Sequence, residues 1–83
     1  MFEPIKAPLS RAETLAKLNH YVSVAPVEVK RTFLGMKAYL YEDGTKIALF
    51  GDTQCNIWDH VTRKWGYTSR ETAKQFANML NRT

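Results

Sequence analysis

The stretch Gly35–Gly51, "GMKAYLYEDGTKIALFG", decides how this chain folds. Two runs of aromatic, aliphatic and small residues flank Asp43-Gly44, and an Asp-Gly pair between such runs marks a β-hairpin. As a two-residue type I′ turn, with both residues at positive φ, Asp43-Gly44 sets a register. Tyr41 then faces Lys46, Leu40 faces Ile47, Tyr39 faces Ala48 and Ala38 faces Leu49. One face collects the aliphatic set Met36, Ala38, Leu40, Ile47 and Leu49. The other collects Lys37, Tyr39, Tyr41, Lys46, Ala48 and Phe50. Side chains alternate, so a slip of one residue would exchange the two faces of a strand.

Downstream, a third strand follows Gly51-Asp52, from about Gln54 to His60, after a loop of either three residues, Gly51–Thr53, or two, which would invert the faces of that strand. A three-residue loop puts Cys55 and Ile57 on the aliphatic face, and Asn56, Trp58 and His60 on the aromatic one. After a turn at Thr62–Lys64, Trp65–Tyr67 reads as a short fourth strand. "TSRE" then forms a capping box, Thr68 with Glu71, that opens a helix to about Arg82. On a helical wheel Thr72, Ala73, Phe76, Met79 and Leu80 share one side, while Arg70, Lys74, Asn78 and Asn81 run down the other.

Upstream, "MFEPIKAP" reads as an extended arm over residues 1–8. A capping box, Ser10 with Glu13, opens a first helix from about Arg11 to Asn19 or a little beyond. "YVSVAPVEV", broken by Pro26, reads as a short edge strand or an extended link. The expected fold is one α+β domain over residues 1–83. It has an N-terminal helix, an antiparallel meander of three or four strands, and a C-terminal helix on the aliphatic sheet face. The first helix is expected on the aromatic face, because a small sheet with one bare side struggles for stability.

Composition bounds what such a domain does. The chain has 83 residues, 45% of them hydrophobic and 12% aromatic, which argues for a folded protein rather than a disordered one. It begins with Met, lacks a signal-peptide pattern, and has no apolar run longer than Ile47–Phe50, so a complete small protein with no membrane span is expected. The lone Cys55 allows no internal disulfide, and one thiol with His20 and His60 gives no metal spacing. That usage fits a cytoplasmic protein without cofactor or metal. Cys55 and His60 are five apart on one strand and fall on opposite faces, and no phosphate loop or nucleophile elbow is present. An enzyme is therefore not expected.

The net charge of +4 is unevenly placed. Residues 1–61 carry seven cations and seven carboxylates, whereas residues 62–83 carry Arg63, Lys64, Arg70, Lys74 and Arg82 against Glu71 alone. Among those cations lie Trp65 and Tyr67, in the hot-spot-like cluster "RKWGY". Arg63, Lys64, Trp65, Tyr67, Arg70 and Lys74 are therefore the first candidate partner-binding set, facing an acidic protein or nucleoprotein surface. The other candidate surface is Lys37, Tyr39, Tyr41, Lys46 and Trp58, whose rings and ammonium groups suit stacked bases and phosphates. It supports a second reading, direct and largely non-specific nucleic-acid binding. No zinc-finger spacing or helix-turn-helix accompanies it, and the oligomeric state is open.

The hairpin "AYLYEDGTKIALF", a short third strand and the closing segment "WGYTSRETAKQFANML" resemble small accessory proteins encoded by phages and mobile elements. The resemblance covers about Leu34 to Arg82. It implies a protein that acts by binding, as a modulator or inhibitor of a host or phage machine, and it assigns no residue a role.

Overall fold

A computed structural model describes residues 7–31 and 35–82. The chain runs α1 (Arg11–Tyr21), β1 (Glu28–Arg31), β2 (Met36–Leu40), β3 (Lys46–Phe50), β4 (Gln54–Asp59), β5 (Lys64–Tyr67) and α2 (Arg70–Asn81). The fold is α+β, and the sheet is a five-stranded antiparallel meander in the order β1-β2-β3-β4-β5. Among the described residues, no helix is long and apolar enough to cross a membrane.

The β2–β3 hairpin departs from the two-residue turn. Its loop has three residues, Glu42–Gly44: Gly44 N–H donates to the Tyr41 carbonyl at 3.1 Å, and Tyr41 N–H donates to the Thr45 carbonyl at 3.0 Å. Gly44 alone in this turn has positive φ, at 95°. Asp43 instead uses its carboxylate, which accepts from Thr45 N–H at 2.8 Å. The extra loop residue shifts the register by one, pairing Tyr39 with Ile47 and Ala38 with Ala48. The expected face assignment of β2 is thereby inverted. Tyr39 and Tyr41 are buried beside Ile47 and Leu49, while Met36, Ala38 and Leu40 turn to the opposite, outer face.

Of the two loop lengths, the β3–β4 connection takes the three-residue Gly51–Thr53, with Gly51 at φ 58°, and it places Cys55 and Ile57 beside Leu49 and Ile47. The β4–β5 loop is His60–Arg63, closed by Arg63 N–H on the Asp59 carbonyl at 2.8 Å. The segment with Pro26 leads into β1, an exposed edge strand.

Both helices lie on the inner face. The core joins Leu18 of α1 and Ala73, Phe76, Ala77 and Leu80 of α2 to the strand residues Tyr39, Tyr41, Ile47, Leu49, Cys55 and Ile57. The expectation that α1 covers the opposite side is overturned, and Gly66 supplies the reason. It lies opposite Ile57 on the inner face of β5, and Thr14 of α1 packs directly on it. A Cβ at Gly66 would stand 2.4 Å from Thr14 Oγ1 and 3.1 Å from Leu9 Cδ1. Bare backbone there lets α1 settle against the sheet. Leu9 N–H donates to the Trp65 carbonyl at 2.9 Å, fastening the approach to α1 along β5. The rest of the expected arm, residues 1–6, lies outside the described residues.

The caps follow local chemistry. Ser10 caps α1 and accepts from Glu13 N–H at 3.2 Å, as expected. The cap of α2 is Ser69, accepting from Thr72 N–H at 3.3 Å, rather than Thr68. Thr68 is engaged elsewhere, its hydroxyl donating to the Cys55 carbonyl at 3.0 Å. Ala73, Phe76 and Leu80 face inward as the wheel predicts, but Ala77 joins them and Met79 stays 43% exposed.

Replacing Gly66 with Ala is expected to cost about 1–3 kcal/mol of stability, the range for overpacking a filled site. Pairing it with Thr14→Ala should recover part of that loss, because the removed hydroxyl and methyl are what the new Cβ meets. Thermal or denaturant unfolding of both single variants and the double variant measures the coupling. Strict additivity would mean that α1 does not depend on the bare backbone at Gly66.

Candidate binding face

The strand registers place the outer-face side chains in three rows across the sheet. The first runs Glu28, Leu40, Lys46, Trp58, Trp65, and the second runs Lys30, Ala38, Ala48, Asn56, Tyr67. The third holds Met36, Phe50 and Gln54. Ala38 and Ala48 at the centre of the middle row leave a shallow trough on β2 and β3, with backbones of the flanking rows about 13 Å apart. Trp58 and Trp65 pair across β4 and β5 with ring centroids 5.3 Å apart, tilted by 57°. Tyr67 is 54% exposed and Phe50 38%. Both helices pack on the other side, so no described helix covers this face.

The first candidate set does not form one surface. Trp65 and Tyr67 share the outer face, and Arg63 stands exposed in the adjoining turn at φ 58°. Lys64 pairs with Asp59 in the register and is half-buried on the inner side. Arg70 and Lys74 are exposed on α2, in the helix layer behind the sheet. The second set also divides. Lys46 and Trp58 are direct partners on the outer face, whereas Lys37, Tyr39 and Tyr41 belong to the inner face. The two tyrosines thus offer no platform for bases, because the register shift takes them into the core. Met36, Ala38 and Leu40 complete the outer face; the two-residue turn had assigned them to the core.

At one end of the sheet four side chains link α1 to two turns. Tyr21 hydroxyl donates to the Asp43 carboxylate, and Thr45 Oγ1 donates to Tyr21 hydroxyl at 3.0 Å. With its proton so used, Thr45 Oγ1 accepts from His60 Nδ1–H at 3.0 Å. Asp43 Oδ1 lies 3.9 Å from that same nitrogen. A relay triad needs the two imidazole nitrogens to serve different partners, and here both neighbours lie on the Nδ1 side of the ring, only Thr45 within hydrogen-bond distance. Burial alone would raise the Asp43 carboxyl, but the Tyr21 hydrogen bond and those from Thr45 outweigh it and lower it to about 2.

Asp59 is buried on the inner face. Its carboxylate accepts from Thr62 hydroxyl at 2.6 Å and Val61 N–H at 3.2 Å, and pairs with Lys17 at 3.4 Å. Burial acts to raise this carboxyl too, and the same partners hold it below its ordinary range. Burial pushes the Cys55 thiol up to about 12, so it stays protonated at neutral pH. Among the described residues, no three His, Cys, Asp or Glu side chains are grouped to hold a metal ion.

No known protein family matches this chain, and no curated protein or solved structure matches it either.

The depressed Asp43 carboxyl sets an acid limb of stability. The folded form takes up this proton less readily than the unfolded chain, so the stabilisation is present above the ordinary carboxylate range. It is lost as pH falls from about 4 towards 2. Melting temperatures between pH 5 and pH 2 should fall in the parent chain and fall less steeply in Asp43→Asn. Equal slopes would show that the Tyr21–Asp43 link does not depend on the charge.

Proposed function

We propose that this chain is a non-enzymatic binding protein that docks on the acidic surface of a protein, alone or within a nucleoprotein complex, through its outer sheet face. One observation carries the reading: both helices lie on one side of the sheet, and the other side presents the Trp58–Trp65 pair with Tyr67, Phe50 and Leu40. Clustered aromatic rings supply large contact area at small entropic cost and dominate protein interfaces. Lys30 and Lys46 on the face, with Arg63 at its border, outnumber Glu28 and favour an acidic partner. A second copy of the chain suits the face less well. In a two-fold pairing the same face meets itself, setting Lys30 and Lys46 of each copy against a surface whose carboxylate is Glu28. Two lysines are also sparse for a phosphate backbone, although the exposed rings keep direct nucleic-acid binding as the competing reading.

The test uses the whole chain as bait, with Ala48→Glu and Trp65→Ala altering the outer face and Lys74→Glu altering the helix layer. A captured protein, purified and remixed, should bind the parent and Lys74→Glu. It should bind Trp65→Ala more weakly by about 2 kcal/mol or more, roughly 30-fold, and it should be lost with Ala48→Glu. Arg63→Glu should slow association and flatten its salt dependence without unfolding the chain. Labelled single- and double-stranded oligonucleotides form the parallel arm. Tight binding there that weakens steeply with salt would reassign the face to nucleic acid. Partner loss with Lys74→Glu but not Ala48→Glu would move the site to α2.

A further inference from the structure

On the inner side, the link from α1 to β1, strands β1 and β2, and the end of α2 border a cavity of about 830 Å³ that opens to solvent along Val24, Val29 and Arg31. Val22, Val24, Pro26, Val29 and Leu80 give it apolar walls. Arg31 and Lys37 also line it, and they are direct partners across β1 and β2. Like charges placed opposite one another in an antiparallel pair destabilise the sheet. Among the described residues, no carboxylate lies within ion-pair distance of either one. Lys37 Nζ donates to Asn81 Oδ1 at 2.7 Å, which leaves the Asn81 amide N–H groups as further donors.

Tyr39, two residues along β2, supplies an independent observation. It lines the same cavity, and its hydroxyl, which bonds to none of the described residues, opens onto that space, since no buried side-chain oxygen among them lacks a partner. Burial raises this hydroxyl's pKa, and the nearby Arg31 charge opposes the rise. Here two cations and an unused hydroxyl line one apolar-walled space.

We infer that this cavity receives an amphipathic carboxylate, its anion held among Arg31, Lys37 and the Tyr39 hydroxyl and its apolar body against the valines and Leu80. The planar Arg31 guanidinium matches a carboxylate in two-pronged fashion. The volume is typical of pockets for small ligands. Inorganic phosphate makes no use of the apolar walls. Edge strands also carry cations to discourage stray pairing, which accounts for Arg31 on β1. It does not account for Lys37 on the interior strand β2, nor for the unpartnered Tyr39. The site is on the opposite side of the sheet from the proposed docking face and stands or falls independently of it.

Calorimetry and amide-shift titration of the full chain with octanoate, octanol, acetate and inorganic phosphate test the inference. Octanoate should bind saturably and shift the amides of Val29, Lys37, Tyr39 and Leu80. Octanol, acetate and phosphate should each bind at least about tenfold more weakly. Arg31→Gln should weaken octanoate by about tenfold or more while melting at or above the parent temperature, since it relieves a like-charge pair. Tyr39→Phe should weaken it several-fold. A peptide ending in leucine, free or amidated at its C-terminus, separates the sources of the carboxylate. Tighter binding of the free-acid peptide than of octanoate assigns the site to a chain terminus, and the reverse assigns it to a small organic acid. Octanol binding as tightly as octanoate, phosphate binding more tightly, or Arg31→Gln leaving octanoate binding unchanged would overturn the assignment.

Discussion

With its φ at 95°, Gly44 closes a three-residue loop, and the parity of that loop decides which side chains of β2 lie beneath the helices. An even loop would have buried Ala38 and Leu40 and exposed two tyrosines. The odd loop puts Tyr39 and Tyr41 into the core, where their rings fill volume between sheet and helices. Tyr41 completes its bonding by donating to the Tyr21 carbonyl at 3.1 Å. The β2 share of the outer face follows from this: Met36, Ala38 and Leu40 join the side already set by Lys46, Ala48, Trp58 and Trp65. A positive φ at one glycine thus governs both the core and the surface proposed for docking.

Features set by short-range chemistry were legible in the sequence: the Ser10 cap and the inward stripe of Ala73, Phe76 and Leu80. The β2–β3 register was not legible, because Asp-Gly suits a two-residue turn and also the end of a three-residue one. What favours the longer loop is tertiary: Asp43 and Thr45 are engaged by Tyr21 and His60, from other elements. The side chosen by α1 was hidden for a similar reason. Gly66 reads as an ordinary strand residue until Thr14 is placed upon it. The slip from Thr68 to Ser69 at the α2 cap came from the Cys55 carbonyl, which competes for the threonine hydroxyl. Of the candidate site, Trp58, Trp65, Tyr67 and Lys46 could be picked out by residue type, while Met36, Ala38 and Leu40 passed for core.

Charge behaves differently in sequence and in space. The whole excess falls within residues 62–83, yet the fold divides it between the turn at Arg63 and the helix layer at Arg70 and Lys74. The inner side meanwhile gathers Arg31 and Lys37 from residues 1–61, where overall charge is balanced. The two sides of the sheet therefore present different chemistry: rings and a small-residue trough outside, paired cations above apolar walls inside.

The order of strands has a consequence for how the chain assembles. Every strand pairs with its neighbour in sequence, so each hairpin can close as soon as its own residues exist, which keeps contact order low. The exception is α1, made first but seated on β5, the last strand. During synthesis at roughly 5–20 residues per second, Leu9 and Thr14 wait several seconds without their seat before Gly66 appears. Docking of the N-terminal helix is then the late, long-range step that joins the two ends of the chain, and the point at which a stalled or truncated product would leave apolar surface open to other chains.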